Sequence, residues 1–271
     1  MQEKHLKNKE QLRKKLEGHG TLLKMTYMDA WCALNKVDER MAQFHNRHKG
    51  QRCFIVATGP SLTIEDVESL KGEVCFSMNS CIKMFDKTSW RPDYYLIFDP
   101  AVYAALYEDI RQADLNQIFY NSFSIPQLNR EGIPVKVNSK DLTYEKSAYA
   151  KKKDRPIHFS ENVESYIYEG HSTVYGAIEL AAYMGFEEIY LIGCDCNYYT
   201  QQHSEVADYQ YTVPQNTGDL MMRDYVVARR ELEARGIKLY NATRGGKLEV
   251  LERIALENVL NTKKTEKAAC K

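Results

Sequence analysis

From Gln51 onward, short apolar runs alternate with longer polar stretches whose apolar residues recur at helical spacing. The runs predict strands at Cys53–Thr58, Val74–Met78, Tyr94–Phe98, Gln117–Asn121, Val135–Asn138, Ile189–Ile192 and Ile237–Tyr240. Several are apolar on consecutive residues, as strands covered on both faces are. Between them, Thr63-Ile-Glu-Asp66 opens a helix, and Ser172–Met184 directs Val174, Ile178, Ala181 and Ala182 to one side before Gly185 ends it. A further helix is predicted over Asp219–Arg235, stopped by Gly236. Strands alternating with helices imply crossover units, hence an α/β fold with a mainly parallel sheet and helices on both faces. Ahead of this domain, Lys4–His48 reads as helix, broken at Gly18-His19-Gly20. The division expected is an N-terminal helical arm over 1–50, the α/β domain over 51–261 and a frayed tail over 262–271. The arm is suited to pack on the domain or on another subunit, which would make a homo-oligomer. Two polar stretches, Lys140–Ser165 and the tyrosine-rich Asn197–Asn216, fit neither period and read as functional loops.

Charge narrows the partners. The 271 residues carry 37 basic and 37 acidic side chains, and this balance argues against nucleic acid as a partner. No apolar run approaches the ~18–20 residues that span a bilayer. The first residues lack the apolar centre of a signal peptide. A cytoplasmic protein is expected, with peripheral attachment to the inner membrane face as the alternative. The 7 cysteines are an odd number and read as free thiols. Cys194-Asp-Cys196 has no matching pair elsewhere, which argues against zinc.

The candidate chemistry lies at strand ends. The first strand stops at Thr58-Gly59-Pro60-Ser61, immediately before a helix. Free backbone N–H groups at such a turn can hold an anion, although a plain strand-to-helix connection has the same pattern. Asn79 follows the second strand, Asp99 the third, and Gly193-Cys194-Asp195 the strand at Ile189–Ile192. In a parallel sheet these ends share one edge, where open α/β sheets bind ligands. Asn79 suits a base or ribose. Asp99 and Asp195 suit Mg²⁺ on a phosphate, or they cap turns and helices. Ser172 and Thr173 begin a helix and can cap it or face an anion. His171 and His203 are the loop histidines able to act as bases near neutral pH.

Four blocks carry a family resemblance: Arg52-Cys-Phe-Ile-Val-Ala-Thr-Gly-Pro-Ser-Leu62, Pro92-Asp-Tyr-Tyr-Leu-Ile-Phe-Asp-Pro100, Gly185-Phe-Glu-Glu-Ile-Tyr-Leu-Ile-Gly-Cys-Asp195, and Gly236-Ile-Lys-Leu-Tyr-Asn-Ala-Thr-Arg-Gly-Gly-Lys-Leu248. In this order they resemble the 6-hydroxymethylpterin diphosphokinase-like (MptE-like) family. They are also similar to bacterial CMP-sialic acid-dependent sialyltransferases and to flagellin-glycosylation (motility accessory factor) proteins. The resemblance implies a Rossmann-like nucleotide-binding domain. It places the nucleotide at Gly59, Pro60, Ser61 and Asn79, and a donor carboxylate at Ser172 and Thr173; Thr58, Asp99 and Gly193 are the further nucleotide-binding candidates at the same strand ends. It places leaving-group tyrosines among Tyr198, Tyr199 and Tyr209. The chain departs from the sialyltransferases at Asp99, where they have asparagine. It also has no base histidine around Asn216–Asp219, so His203 is the nearest candidate. The leading expectation is a glycosyltransferase-like enzyme of surface-glycan assembly, taking a CMP-sugar-like donor and a glycan or small-molecule acceptor. Its catalytic residues would be His203, Asp195, Tyr199 and Tyr209. The alternatives are diphosphate transfer from ATP to a hydroxymethylpterin-like alcohol, with Mg²⁺ on Asp99 and Asp195, and a non-catalytic nucleotide-binding scaffold.

Overall fold

The computed structural model describes residues 20, 22–32, 38–141, 157–199 and 214–261. His203, Tyr209 and the tail at 262–271 lie outside the described residues. Eight parallel strands form one sheet in the order β10-β9-β8-β1-β2-β3-β4-β5. Its strands are β1 (Arg52–Val56), β2 (Val74–Met78), β3 (Tyr94–Ile97), β4 (Gln117–Asn121), β5 (Ile133–Val135), β8 (Glu188–Ile192), β9 (Lys238–Asn241) and β10 (Glu252–Arg253). A separate parallel pair joins β6 (Val137–Asn138) to β7 (Ile167–Tyr168). The helices include α1 (22–32), α2 (Ile64–Ser69), α3 (Pro100–Ala105), α4 (Tyr107–Gln112), α5 (Thr173–Tyr183) and α6 (Thr217–Glu233). The architecture is Rossmann-like.

The two faces of the sheet follow from the strand period. In β1, Cys53 and Ile55 point to the layer containing Val174, Ile178 and Ala181 of α5 and Tyr225, Ala228 and Leu232 of α6. Phe54 and Val56 point the other way, to Val67 of α2, Val102 of α3, Ile110 of α4 and Leu256. Both faces are dry, which explains the unbroken apolar runs. A buried carboxylate crosses the first layer: Glu179 of α5 accepts the backbone N–H groups of Ser160 and Tyr168, each at 2.7 Å. It clamps the 157–168 segment to α5, supplying acceptors to amides that would otherwise be orphaned.

Two sequence expectations need correction. The predicted strand Val135–Asn138 is two strands in different sheets. Val135 ends β5 against β4, while Val137 and Asn138 turn to pair with Ile167 and Tyr168. Pro134 is tolerated because β5 is an edge strand. The predicted helix does not run on to His48. Residues 39–44 form a 3-10 turn capped by Asp38, and residues 45–50 are turns. Burial decides this: Phe44 packs edge-on against Tyr94 and Phe119, and the Asn46 and His48 amides bond to Tyr183 and Met184 at the end of α5. The end of the expected arm is therefore built into the core. Helix α1 is held by Lys136 Nζ donating to Cys32 O (2.8 Å) and Asn138 Nδ2 to Asp29 Oδ1 (2.9 Å). The six described cysteines are buried, and among the described residues none forms a disulfide. Among the described residues no helix is long and apolar enough to cross a membrane.

Candidate functional site

The strand order turns back at β1. The chain runs outward from β1 through β2, β3 and β4, then returns through α5 to β8 on the other side of β1. α2 leaves β1 on one face and α5 enters β8 from the other, so their connections diverge above the β1 and β8 carboxyl ends. Such reversals are where open α/β sheets hold ligands.

Adjacent loops are tied to one another at this edge. Gly59 N donates to Gly193 O at 2.9 Å, bonding the β1 turn to the β8 turn. A Cβ on Gly59 would overlap both Gly193 O and Asp195 Oδ2, so only glycine lets the two turns approach this closely. Gly193 has φ +66°, a left-handed conformation that glycine adopts at no steric cost. Ser61 donates to Asp195 Oδ2 through its hydroxyl (2.8 Å) and its amide (3.3 Å). Asp195 is 8 % exposed, and burial raises its pKa from the ordinary aspartate value, partly offset by the Ser61 bonds. Thr58 and Ser80 share a hydroxyl hydrogen bond (3.1 Å), linking the β1 turn to the 3-10 turn after β2. On the far side, Thr243 Oγ1 accepts from Cys194 N at 3.0 Å and Lys247 N donates to Asp195 O at 2.7 Å. The loops after β2, β1, β8 and β9 thus form one braced row.

Asn79 opens the 3-10 turn with φ +51°, a conformation that costs a non-glycine residue energy and tends to occur where function requires it. Its carbonyl accepts from Tyr95 OH at 2.7 Å, which holds the strained backbone in place. Its buried Oδ1 receives no hydrogen bond among the described residues. A buried acceptor in that state lacks about 1–3 kcal/mol of compensation.

The remaining candidates divide. Asp99 caps α3: its Oδ1 accepts from Ala101 N (2.7 Å) and Val102 N (3.3 Å). Ser172 caps α5 through Val174 N at 3.2 Å, and Thr173 is the buried first helical residue. α5 ends at the strand entrances, so its start faces the same edge as Asn79; Phe98, just before Asp99, packs on Gly176 in its first turn. Tyr199 is 44 % exposed and donates to Asp219 Oδ2 at 2.6 Å, near the start of α6. That bond is the main reason its phenol pKa is raised. Asp99 and Asp195 both have oxygens committed to the protein. Among the described residues no three His, Cys, Asp or Glu side chains gather as metal ligands.

The pairing that sequence reasoning missed is His171 with Asp224. Nδ1 lies 2.7 Å from Asp224 Oδ2, which also accepts the His171 amide at 2.8 Å. The side chains are 7 % and 1 % exposed. A carboxylate on Nδ1 fixes the imidazole orientation and favours the tautomer with its lone pair on Nε2, the arrangement of an oriented general base. The available signal was position: Asp224 falls on the buried stripe of α6 formed by Met221, Tyr225, Ala228 and Leu232.

A solved structure with the same fold is that of the MAf glycosyltransferase from Magnetospirillum magneticum AMB-1, at a TM-score of 0.52 and 17 % identity. The match covers 88 % of this chain and 42 % of that one, so this chain spans less than half the length of that glycosyltransferase. No curated protein matches the chain. The family model described as 6-hydroxymethylpterin diphosphokinase MptE-like matches residues 32–201, which include β1, the Gly59 turn, Asn79, the start of α5 and the Asp195 loop. That is more than half of the chain, and the chain belongs to the MptE-like family.

Proposed function

We propose that this protein is a nucleotide-dependent transferase of the glycosyltransferase-like kind, binding its nucleotide at the β1–β8 reversal. The observation that carries this reading is the Gly59 turn itself. Its backbone is packed against Gly193 and Asp195 so closely that no side chain fits, beside a strained Asn79 with an unsatisfied Oδ1. The phosphate lies against the Gly59–Ser61 turn, whose own amides are already given to Gly193 O and Asp195 Oδ2, and Asn79 serves the base or ribose. A nucleotide-activated, CMP-sugar-like donor then presents its anomeric carbon near the start of α5. The acceptor hydroxyl, on a glycan or small molecule, attacks that carbon as the bond to the phosphate oxygen breaks and the nucleotide leaves. His171, oriented by Asp224, takes the hydroxyl proton, the role expected from the sequence for His203. Tyr199 stands near the leaving phosphate. The match to a glycosyltransferase fold supports the reaction class, and surface-glycan assembly is the setting this class suggests.

The family description favours a second reading, diphosphate transfer from ATP to a hydroxymethyl group. Mg²⁺ would then sit against the phosphates, with Asp99 and Asp195 as the carboxylates at that edge. Mg²⁺ dependence separates the two. A thermal-shift screen of CMP, CMP-sugars, AMP and ATP, with and without Mg²⁺, is expected to show stabilisation by a cytidine nucleotide independent of Mg²⁺. A ligand at ~100 times its Kd adds about 2.7 kcal/mol. Asn79→Ala is expected to abolish most of that shift. Stabilisation by ATP only with Mg²⁺ would favour diphosphate transfer, and a full shift in Asn79→Ala would move the site elsewhere.

A further inference from the structure

We infer that Lys247, on the loop after β9, is the phosphate-binding cation of this site. The inference rests on the nucleotide reading above and adds the group that neutralises the phosphate. The described residues at the β1–β8 reversal are acidic or neutral: Asp99, Asp195, Ser61, Thr58 and Asn79. A phosphate placed there needs a compensating positive charge. The loop after β9 supplies cations tied to this turn by a continuous chain of contacts. Asp195 Oδ2 touches the Gly59–Ser61 turn, and Asp195 O accepts the Lys247 amide at 2.7 Å. Gly246 lies against the Asp195 backbone closely enough that a Cβ there would come within 2.7 Å of its carbonyl oxygen.

Of the three cations from this loop to β10, two are committed to acids. Arg244 pairs with Asp66 at 2.8 Å and Glu257 at 2.9 Å. Arg253 pairs with Glu249 at 2.7 Å and donates to Thr243 O and Gly245 O, which fixes the loop. Lys247 has no acidic partner among the described residues. Its Nζ sits 4.4 Å from the centre of the Tyr199 ring, whose hydroxyl is held by Asp219. A cation on an aromatic face is placed without being neutralised, so it keeps its charge for an arriving anion. Lys247 and Tyr199 therefore act as one unit at the mouth of the site: the ring positions the ammonium and the ammonium meets the phosphate.

The test compares nucleoside with nucleotide, since only the latter carries the phosphate. Calorimetric titrations of cytidine, CMP, adenosine and AMP would be run on wild type, Lys247→Ala and Lys247→Arg. For the base that binds, Lys247→Ala is expected to weaken the monophosphate about tenfold while leaving the nucleoside unchanged, and Lys247→Arg to restore most of the loss. Wild-type affinity for the monophosphate in Lys247→Ala would overturn the inference alone. So would an equal loss for nucleoside and nucleotide, which marks a merely structural loop. If wild type binds none of the four, the nucleotide reading falls and this inference with it.

Discussion

Gly59→Ala is expected to remove nucleotide-dependent stabilisation altogether and to lower intrinsic stability by about 1–3 kcal/mol, the usual cost of overpacking. The effect is large because the surroundings cannot yield. The new methyl would overlap Gly193 O, which is fixed by the Gly59 amide itself, and Asp195 Oδ2, which is fixed by Ser61. Asp195 can turn its carboxylate away only by giving up both hydrogen bonds from Ser61. The other relief is outward movement of the turn, which displaces the surface proposed to face the phosphate. Urea unfolding and a thermal-shift titration of the same variant check both parts. A destabilised variant that still shows the full nucleotide shift would confine Gly59 to a structural role.

The second large effect concerns the reaction. Asp224→Asn keeps the shape of the side chain but replaces an ionic acceptor with a neutral one at the His171 ring. With the imidazole no longer held as a base, turnover is expected to fall by ~10²-fold or more, the usual contribution of general base catalysis. Nucleotide affinity should be unchanged, since the nucleotide site is built from other residues. The readout is nucleotide released from a CMP-sugar donor in the presence of acceptor, alongside calorimetric Kd. His171→Gln should show the same loss, and the double variant little more, because the pair acts as one unit. Wild-type turnover in Asp224→Asn would remove the pair from the mechanism.

Much of the frame was legible in the sequence because it depends on local pattern. Unbroken runs such as Cys53–Val56 and Tyr94–Ile97 can only be strands buried on both faces. Glycines at the ends of α5 and α6 marked where those helices stop. Thr63 with Asp66 forms a reciprocal cap at the start of α2, as the sequence predicted for that helix opening. The parallel order then brought Asn79, Asp99 and Asp195 to one edge without further assumption. What stayed hidden depends on distant pairing. Nothing local says that Val135 and Val137 belong to different sheets, because their partners, β4 and β7, lie far apart in the chain. Nothing near Phe44 says that it packs on Tyr94 and Phe119, so its segment read as the end of a helical arm. Asp99 and Asp195 read by type as either metal ligands or caps, and the structure shows Asp99 capping α3 and Asp195 bracing the Ser61 turn. Asp224 was not singled out in the sequence, and only the packing of α6 on the start of α5 shows what it holds.

The central claim is that a nucleotide sits against the backbone where β1 and β8 reverse the sheet order. Hydrogen exchange read by mass spectrometry, with and without saturating CMP, tests it at the amides themselves. Slowed exchange is predicted in peptides containing Gly59–Ser61, Asn79 and Gly193–Asp195, with no change in those covering β4 and β5. Protection confined to other segments, or unchanged exchange at the Gly59 turn under saturating nucleotide, would contradict it.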